Sequence, residues 1–285
     1  MHDSPVFVCV ECWQLPYHCR NRGRLLMRIS HMLTLAFLLF SSTAMSAGAD
    51  HFDSNGVHLR YFTEGSGEAV VLLHGFSGSA EGLYIKPGTF NALVNAGYQV
   101  VALDQRGHGM SDKPYDAASY GMEMVEDVRR LLDHLELDKV HLVGYSMGGK
   151  VSNMFRSKYP ERLLTITLGG YGWPWQSPKI TLEESRLRLH QRTLLPGNDL
   201  QALAAVSVGM YDLTPTERNL RANEVPAFAI IGDKDEVVSA ENFSTLKDTM
   251  SNLETTVIPG THAGPDGAPY KPIFAEKLVN FLNNH

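Results

Sequence analysis

The segment Gly144-Tyr145-Ser146-Met147-Gly148 sets a serine between two glycines, directly after the apolar run Val140 to Gly144 and before a helical stretch reaching about Tyr159. In a strand–turn–helix context, a serine on a strained turn lifts its hydroxyl above a sheet, and small flanking residues let neighbouring backbone approach. That hydroxyl is a weak nucleophile until a base takes its proton, and the base needs a third group to hold its tautomer. Two later segments can supply these groups. Phe228 to Ile231 runs into Gly232-Asp233-Lys234-Asp235-Glu236-Val237, a turn that sets carboxylates at the end of a strand. Thr255 to Ile258 runs into Pro259-Gly260-Thr261-His262-Ala263-Gly264, which sets a histidine at the end of the next. The order Ser, Asp, His suits acyl transfer, with Ser146 as nucleophile and His262 as base. Upstream, an apolar run closes in His74-Gly75-Phe76-Ser77-Gly78. The backbone N–H groups of Phe76 and Met147 are the candidates to face a developing oxyanion.

Such groups converge only if the elements that carry them end at one edge of a sheet. Asn55-Gly56, between His51-Phe52 and Val57 to Phe62, is a two-residue hairpin signal. Ala69 to Leu73, Tyr98 to Leu103, Val140 to Gly144, Leu163 to Leu168, Ala227 to Ile231 and Thr255 to Ile258 are short runs of Val, Ile and Leu. They read as strands buried on both faces. Helical patterns lie between them; the clearest has Ser119 as its cap and Met124, Val125, Val128, Leu131, Leu132 and Leu135 on one stripe. Alternating strands and helices imply a doubly wound, mostly parallel α/β sheet. Tyr171 to Val225, about 55 residues, is too long for a simple connection and must hold structure of its own. Helical spacing over Leu182 to Leu195 and Leu200 to Met210 predicts a small cap over the strand ends, with Tyr171, Trp173, Trp175 and Tyr211 expected along a substrate pocket.

Taken together, these motifs resemble the α/β-hydrolase fold superfamily over essentially all of residues 51–285. The resemblance implies an eight-stranded sheet and a serine hydrolase, with Ser146 as nucleophile, His262 as general base and then acid, and an aspartate orienting His262. The family's acid turn usually reads Gly-x-x-Asp, which selects Asp235 over Asp233. Thr261 stands where the family usually has a small residue, a mild departure. Serine at the elbow disfavours the dehalogenases and epoxide hydrolases of this fold, which resemble it elsewhere but use aspartate there. The segment Asp104-Gln105-Arg106-Gly107-His108-Gly109-Met110-Ser111 resembles a loop that braces the site, so His108 is assigned no catalytic part. The other histidines, including His58, His134, His141 and His190, lack metal-ligand spacing, and neither metal nor organic cofactor is expected. The expected substrate is a small to medium apolar carboxylic ester. A carbon–carbon hydrolase, a lactonase, an aminopeptidase and a cofactor-free perhydrolase share the same triad. A hydrolase-like ligand-binding protein would generally forgo one member of it.

The 285 residues carry 25 Lys plus Arg against 31 Asp plus Glu, a charge of −6 that gives no basic field for nucleic acid. The N-terminal stretch has a different character. Cys9, Cys12 and Cys19 all precede residue 20, and residues 50–285 contain no cysteine. Four arginines from Arg20 to Arg28, an apolar run from Met32 to Phe40 and then Ala47-Gly48-Ala49 give the layout of a cleaved export signal. The apolar run is too short for a stable membrane span, which takes about 20 residues. Residues 1–26 read as a doubtful leader, 27–49 as the signal peptide and 50–285 as the hydrolase domain, secreted or periplasmic. Cys9-x-x-Cys12 with His18 and Cys19 is too loosely spaced for a zinc site. The body from Asp50 onward holds 21 basic and 29 acidic residues and needs no oxidative folding.

Overall fold

The computed structural model describes residues 48–175, 179–190 and 197–285, all within the compact unit Met45–His285. The leader and most of the export signal, residues 1–47, lie outside the described residues. Asn55 and Gly56 take φ of 59° and 83°, as a tight hairpin turn requires, and join β1 (Gly48–Asp53) antiparallel to β2 (His58–Glu64). The apolar runs become β3 (Ala69–Leu73), β4 (Gln99–Leu103), β5 (Val140–Tyr145), β6 (Leu163–Gly169), β7 (Ala227–Lys234) and β8 (Leu253–Thr261). Together they form one eight-stranded sheet in the order β1-β2-β4-β3-β5-β6-β7-β8. It is antiparallel at β1–β2 and β2–β4 and parallel from β4 onward.

Successive strand residues point to opposite faces, so an uninterrupted apolar run demands cover on both sides. Val71, Leu73, Val101, Leu103 and Leu142 pack with α2 (Met122–His134) and α3 (Met147–Lys158). Val70, Leu72, Val100, Ala102 and Val143 face the other way, against α1 (Thr89–Asn95) and α8 (Pro272–Leu282). Each such valine or leucine contributes roughly 1.5–3 kcal/mol on full burial. Two expectations need correction. Strand β8 is an edge, and Ile258 is its one buried residue; Val257 is 58% exposed, because no strand beyond β8 covers that flank among the described residues. Ser119 does not cap α2 either: Gly121 holds that position with φ 65° and ψ −115°, while the Ser119 carbonyl accepts from Arg106 Nη1 at 2.7 Å.

Among the described residues, three helices lie in the interval between β6 and β7, namely α4 (Leu182–His190), α5 (Leu200–Gly209) and α6 (Glu217–Ala222); α7 (Ala240–Thr249) follows β7. Residues 191–195 of the expected first cap helix lie outside the described residues. Thr181 and Glu184 cap α4 reciprocally, and Asp199 accepts from the Gln201 and Ala202 amides at the start of α5. Ala202 to Val206 are all buried, as a helix that is apolar all round must be.

Candidate active site

The elbow after β5 explains its own spelling. Ser146 sits at φ 54°, ψ −112°, a conformation that costs a non-glycine residue about 1–3 kcal/mol, and its N–H donates to the Gly169 carbonyl at 2.8 Å. A Cβ on Gly148 would lie 2.1 Å from the Leu73 carbonyl oxygen, and one on Gly144 would lie 2.2 Å from that of Gly148. Both glycines are therefore forced by backbone approaching backbone. The turn leaves Ser146 at the N-terminus of α3, whose leading N–H groups, Met147 first, lack intrahelical acceptors.

Strands β7 and β8 deliver the partners. Ser146 Oγ donates to His262 Nε2 at 2.8 Å, and His262 Nδ1–H donates to Asp235 Oδ2 at 2.8 Å. Asp235 Oδ1 accepts from the Val237 and Val238 amides at 2.9 and 2.8 Å. Burial works against the Asp235 charge, but the His262 hydrogen bond and these two amides outweigh it and hold the carboxyl below its ordinary range. Asp233 turns elsewhere and accepts from the Gly260 amide at 2.9 Å. Sequence reasoning missed Glu236, whose carboxylate accepts from the His262 backbone N–H at 3.1 Å. The Tyr145 hydroxyl donates to the His262 carbonyl at 2.7 Å. His262 is thus fixed from ring and backbone alike.

The loop after β3 closes the opposite wall. Gly78 N–H donates to the Gly75 carbonyl at 3.0 Å, making a turn with Phe76 and Ser77 at its centre, and a Cβ on Gly75 would lie 3.3 Å from Ser146 Cβ. This geometry sets Phe76 beside Ser146, with Met147 on the other flank. His74 anchors the loop: its Nδ1–H donates to the Gly75 carbonyl at 2.8 Å, its Nε2 accepts from the Gln105 amide at 3.1 Å, and the Gln105 side chain donates to the His74 carbonyl. The neighbouring loop is braced as expected. Asp104 accepts from Arg60, the Ala80 amide and the Met110 amide, and Arg106 forms a buried ion pair with Asp127 of α2. From the cap, Asn198 Nδ2 donates to the Ser77 carbonyl at 2.7 Å, a tie that no local sequence pattern announces.

Two cavities meet at Ser146 and share Phe76. One, about 300 Å³, lies toward the cap, with Met147, Trp175, Leu189 and Met210 in its wall. The other, about 150 Å³, is lined by His262, Ser77, Ser79 and Tyr270 among others. Trp175 lines the larger cavity. Tyr171 is not at the cavity wall: it is fully buried in the core beneath, where its hydroxyl accepts from Asn153 Nδ2 at 3.2 Å. Trp173 packs on that same cluster and donates its indole N–H to the Pro215 carbonyl, and Tyr211 lies outward against Lys179. Aromatic type alone did not distinguish a pocket wall from a core. Lys150, also missed, lines the larger cavity; it follows Ser146 by four residues on α3, and that helical spacing was the available signal. It is 3% exposed, its Nζ donates to the Met210 carbonyl at 2.8 Å, and burial pushes its pKa down to about 8.

A hydroxyl on a base and a base on a carboxylate form an arrangement suited to acyl transfer. Residues 68–194 match the alpha/beta hydrolase fold family. The chain is 33% identical over 229 residues to a 2-hydroxy-6-oxononadienedioate/2-hydroxy-6-oxononatrienedioate hydrolase of Pseudomonas putida, covering 80% of this chain and 75% of that one. It is 37% identical over 118 residues to a putative 2-succinyl-6-hydroxy-2,4-cyclohexadiene-1-carboxylate synthase of Bacillus subtilis, covering 40% of this chain and 41% of that protein's length. A hydrolase structure from Pseudomonas aeruginosa superposes with a TM-score of 0.70 at 21% identity, over 82% of this chain and 98% of that one. The chain belongs to the α/β-hydrolase fold family, a family of enzymes.

Proposed function

We propose that the protein is a serine hydrolase that cleaves a carboxylic ester through an acyl-enzyme on Ser146. The observation that carries this reading is the unbroken relay from Ser146 Oγ to His262 Nε2 and from His262 Nδ1 to Asp235. Ser146 Oγ attacks the acyl carbonyl while His262 takes its proton, and the Phe76 and Met147 amides hold the oxyanion. Collapse of the tetrahedral species expels the alcohol oxygen, which takes the proton back from His262. Water, deprotonated by His262, then attacks the acyl-enzyme and releases the acid. A fluorophosphonate probe should label the protein, and Ser146→Ala should abolish both labelling and turnover. A folded wild-type protein that does not label would overturn this reading.

A second reading, hydrolysis of a carbon–carbon bond next to a ketone, is favoured by the name of the Pseudomonas putida relative. It uses the same acyl-enzyme with a carbon leaving group. Turnover of vinylogous diketones in preference to activated esters of matched acyl length would establish it over the ester reading. Export belongs to the proposal as well, on the strength of the arginine-rich start, apolar run and Ala-x-Ala close. Cleavage after Ala49 leaves Asp50–Asp53 still paired with β2. N-terminal mass analysis of the protein from its native host should find the chain starting near Asp50.

A further inference from the structure

The loop from His74 to Ala80 carries the Phe76 amide, and its two ends are held from within the sheet layer. His74 Nδ1–H donates to the Gly75 carbonyl at the start, and Asp104 accepts from the Ala80 amide at 2.8 Å at the finish. Between them Gly78 N–H closes a turn on the Gly75 carbonyl, and positive φ falls on Ser77, at 57°, but not on Phe76. That is the pattern of a type II turn, whose third residue is ordinarily glycine. A residue with a Cβ prefers to relax out of the left-handed region unless its surroundings hold it there. The hold on Ser77 comes from the cap: Asn198 Nδ2 donates to the Ser77 carbonyl at 2.7 Å. Asn198 is itself well fixed. A Cβ on the preceding Gly197 would lie 3.2 Å from the Gly109 carbonyl oxygen, and the following Asp199 caps α5 while accepting from the Tyr115 hydroxyl at 3.3 Å.

Resting on the acyl-enzyme reading, we propose that Asn198 is a positioning residue for the oxyanion: from the cap it holds Ser77 in its left-handed turn, and the turn keeps the Phe76 N–H aimed at the reacting carbonyl. Return of Ser77 to negative φ rotates the peptide that joins it to Phe76, and Phe76 shifts with that peptide. Oxyanion donors act through being aimed before charge develops, so a small displacement is felt in the chemical step. Asn198 lines neither cavity that meets at Ser146, so its removal takes no contact from bound substrate. The cap therefore acts on the rate of reaction as well as on the shape of the pocket.

The test measures para-nitrophenyl hexanoate hydrolysis by Asn198→Ala and by the isosteric Asn198→Asp, which has no donor for the Ser77 carbonyl. In both, kcat should fall by about tenfold or more while KM stays within about threefold. Ser77→Gly gives the turn the residue its backbone favours, so in that background Asn198→Ala should cost less than about threefold. Equal losses in the two backgrounds, or a loss confined to KM, would overturn the proposal and leave Asn198 a support of the cap alone. Tyr115→Phe loosens the cap at Asp199 without touching the loop and should leave kcat unchanged; a fall matching that of Asn198→Ala would overturn the proposal too. A trifluoromethyl ketone, whose tetrahedral adduct sets an oxygen among the oxyanion donors, should inhibit Asn198→Ala more weakly by the factor lost in kcat/KM, whereas inhibition by hexanoate should not change. Wild-type turnover by the Asn198 variants, in a protein that a fluorophosphonate labels at Ser146, overturns this inference alone. A folded protein whose Ser146 never labels overturns the acyl-enzyme reading and this inference with it.

Discussion

Asp233 and Asp235 sit two residues apart on one turn and serve different ends. Asp235 meets the His262 ring and two amides, whereas Asp233 ties the turn to Gly260. On the acyl-enzyme route, Asp235→Asn should lower kcat by about 10⁴, because an amide in that place favours the wrong imidazole tautomer. Asp233→Asn should cost less than about tenfold, since an amide oxygen can still accept from the Gly260 N–H. Steady-state kinetics on the two variants decides this, and comparable losses would show that both carboxylates serve the histidine. The relay could be read from sequence because each member is announced locally: a glycine on either side of Ser146, a Gly-x-x-Asp turn, and a histidine just past a strand. Glu236 and Asn198 carry no such mark. Their parts depend on chain segments that meet only in the folded molecule, as when Asn198 reaches Ser77 across 121 positions.

At the scale of elements, the loops after β3 and β4 are locked together by two buried histidines. His74 and His108 lie ring to ring at 5.1 Å; burial lowers the pKa of both, and for His108 burial, with the cationic form of His74 adding repulsion, brings it to about 3. In the unfolded chain each would titrate near 6.5. Below that pH the unfolded chain holds more protons than the folded one, so through His108 stability must fall as pH drops from about 6.5 toward 3, by up to about 1.4 kcal/mol per pH unit, and the lowered pKa of His74 adds a loss of the same sign. Urea unfolding at pH 7 and pH 5 should therefore show a marked acid loss, smaller in His108→Gln; a loss of the same size in that variant would refute the assignment. Reading the sequence locates these elements with little displacement where both faces are covered, as with β3, whose bounds match the apolar run. It erred where cover depends on neighbours, at β8, and where a cap depends on the path of the preceding loop, at Ser119.

For the molecule as a whole, the doubly wound class was legible because continuous apolar runs alternate with amphipathic ones. The order of the strands was not, since pairing β3 between β4 and β5 is a matter of register that composition does not record. That order puts the serine near the middle of the sheet and its base at the end of an edge strand, and edge strands held by one ladder open more readily than central ones. In a urea titration, turnover should vanish at a lower concentration than the global loss of far-UV circular dichroism; coincident midpoints would show that β8 unfolds with the rest. If the edge does open first, the working lifetime of the catalyst is set by the fraying of its last strand, and reinforcing β8 along its exposed Val257 flank would prolong activity without altering any group that touches the substrate.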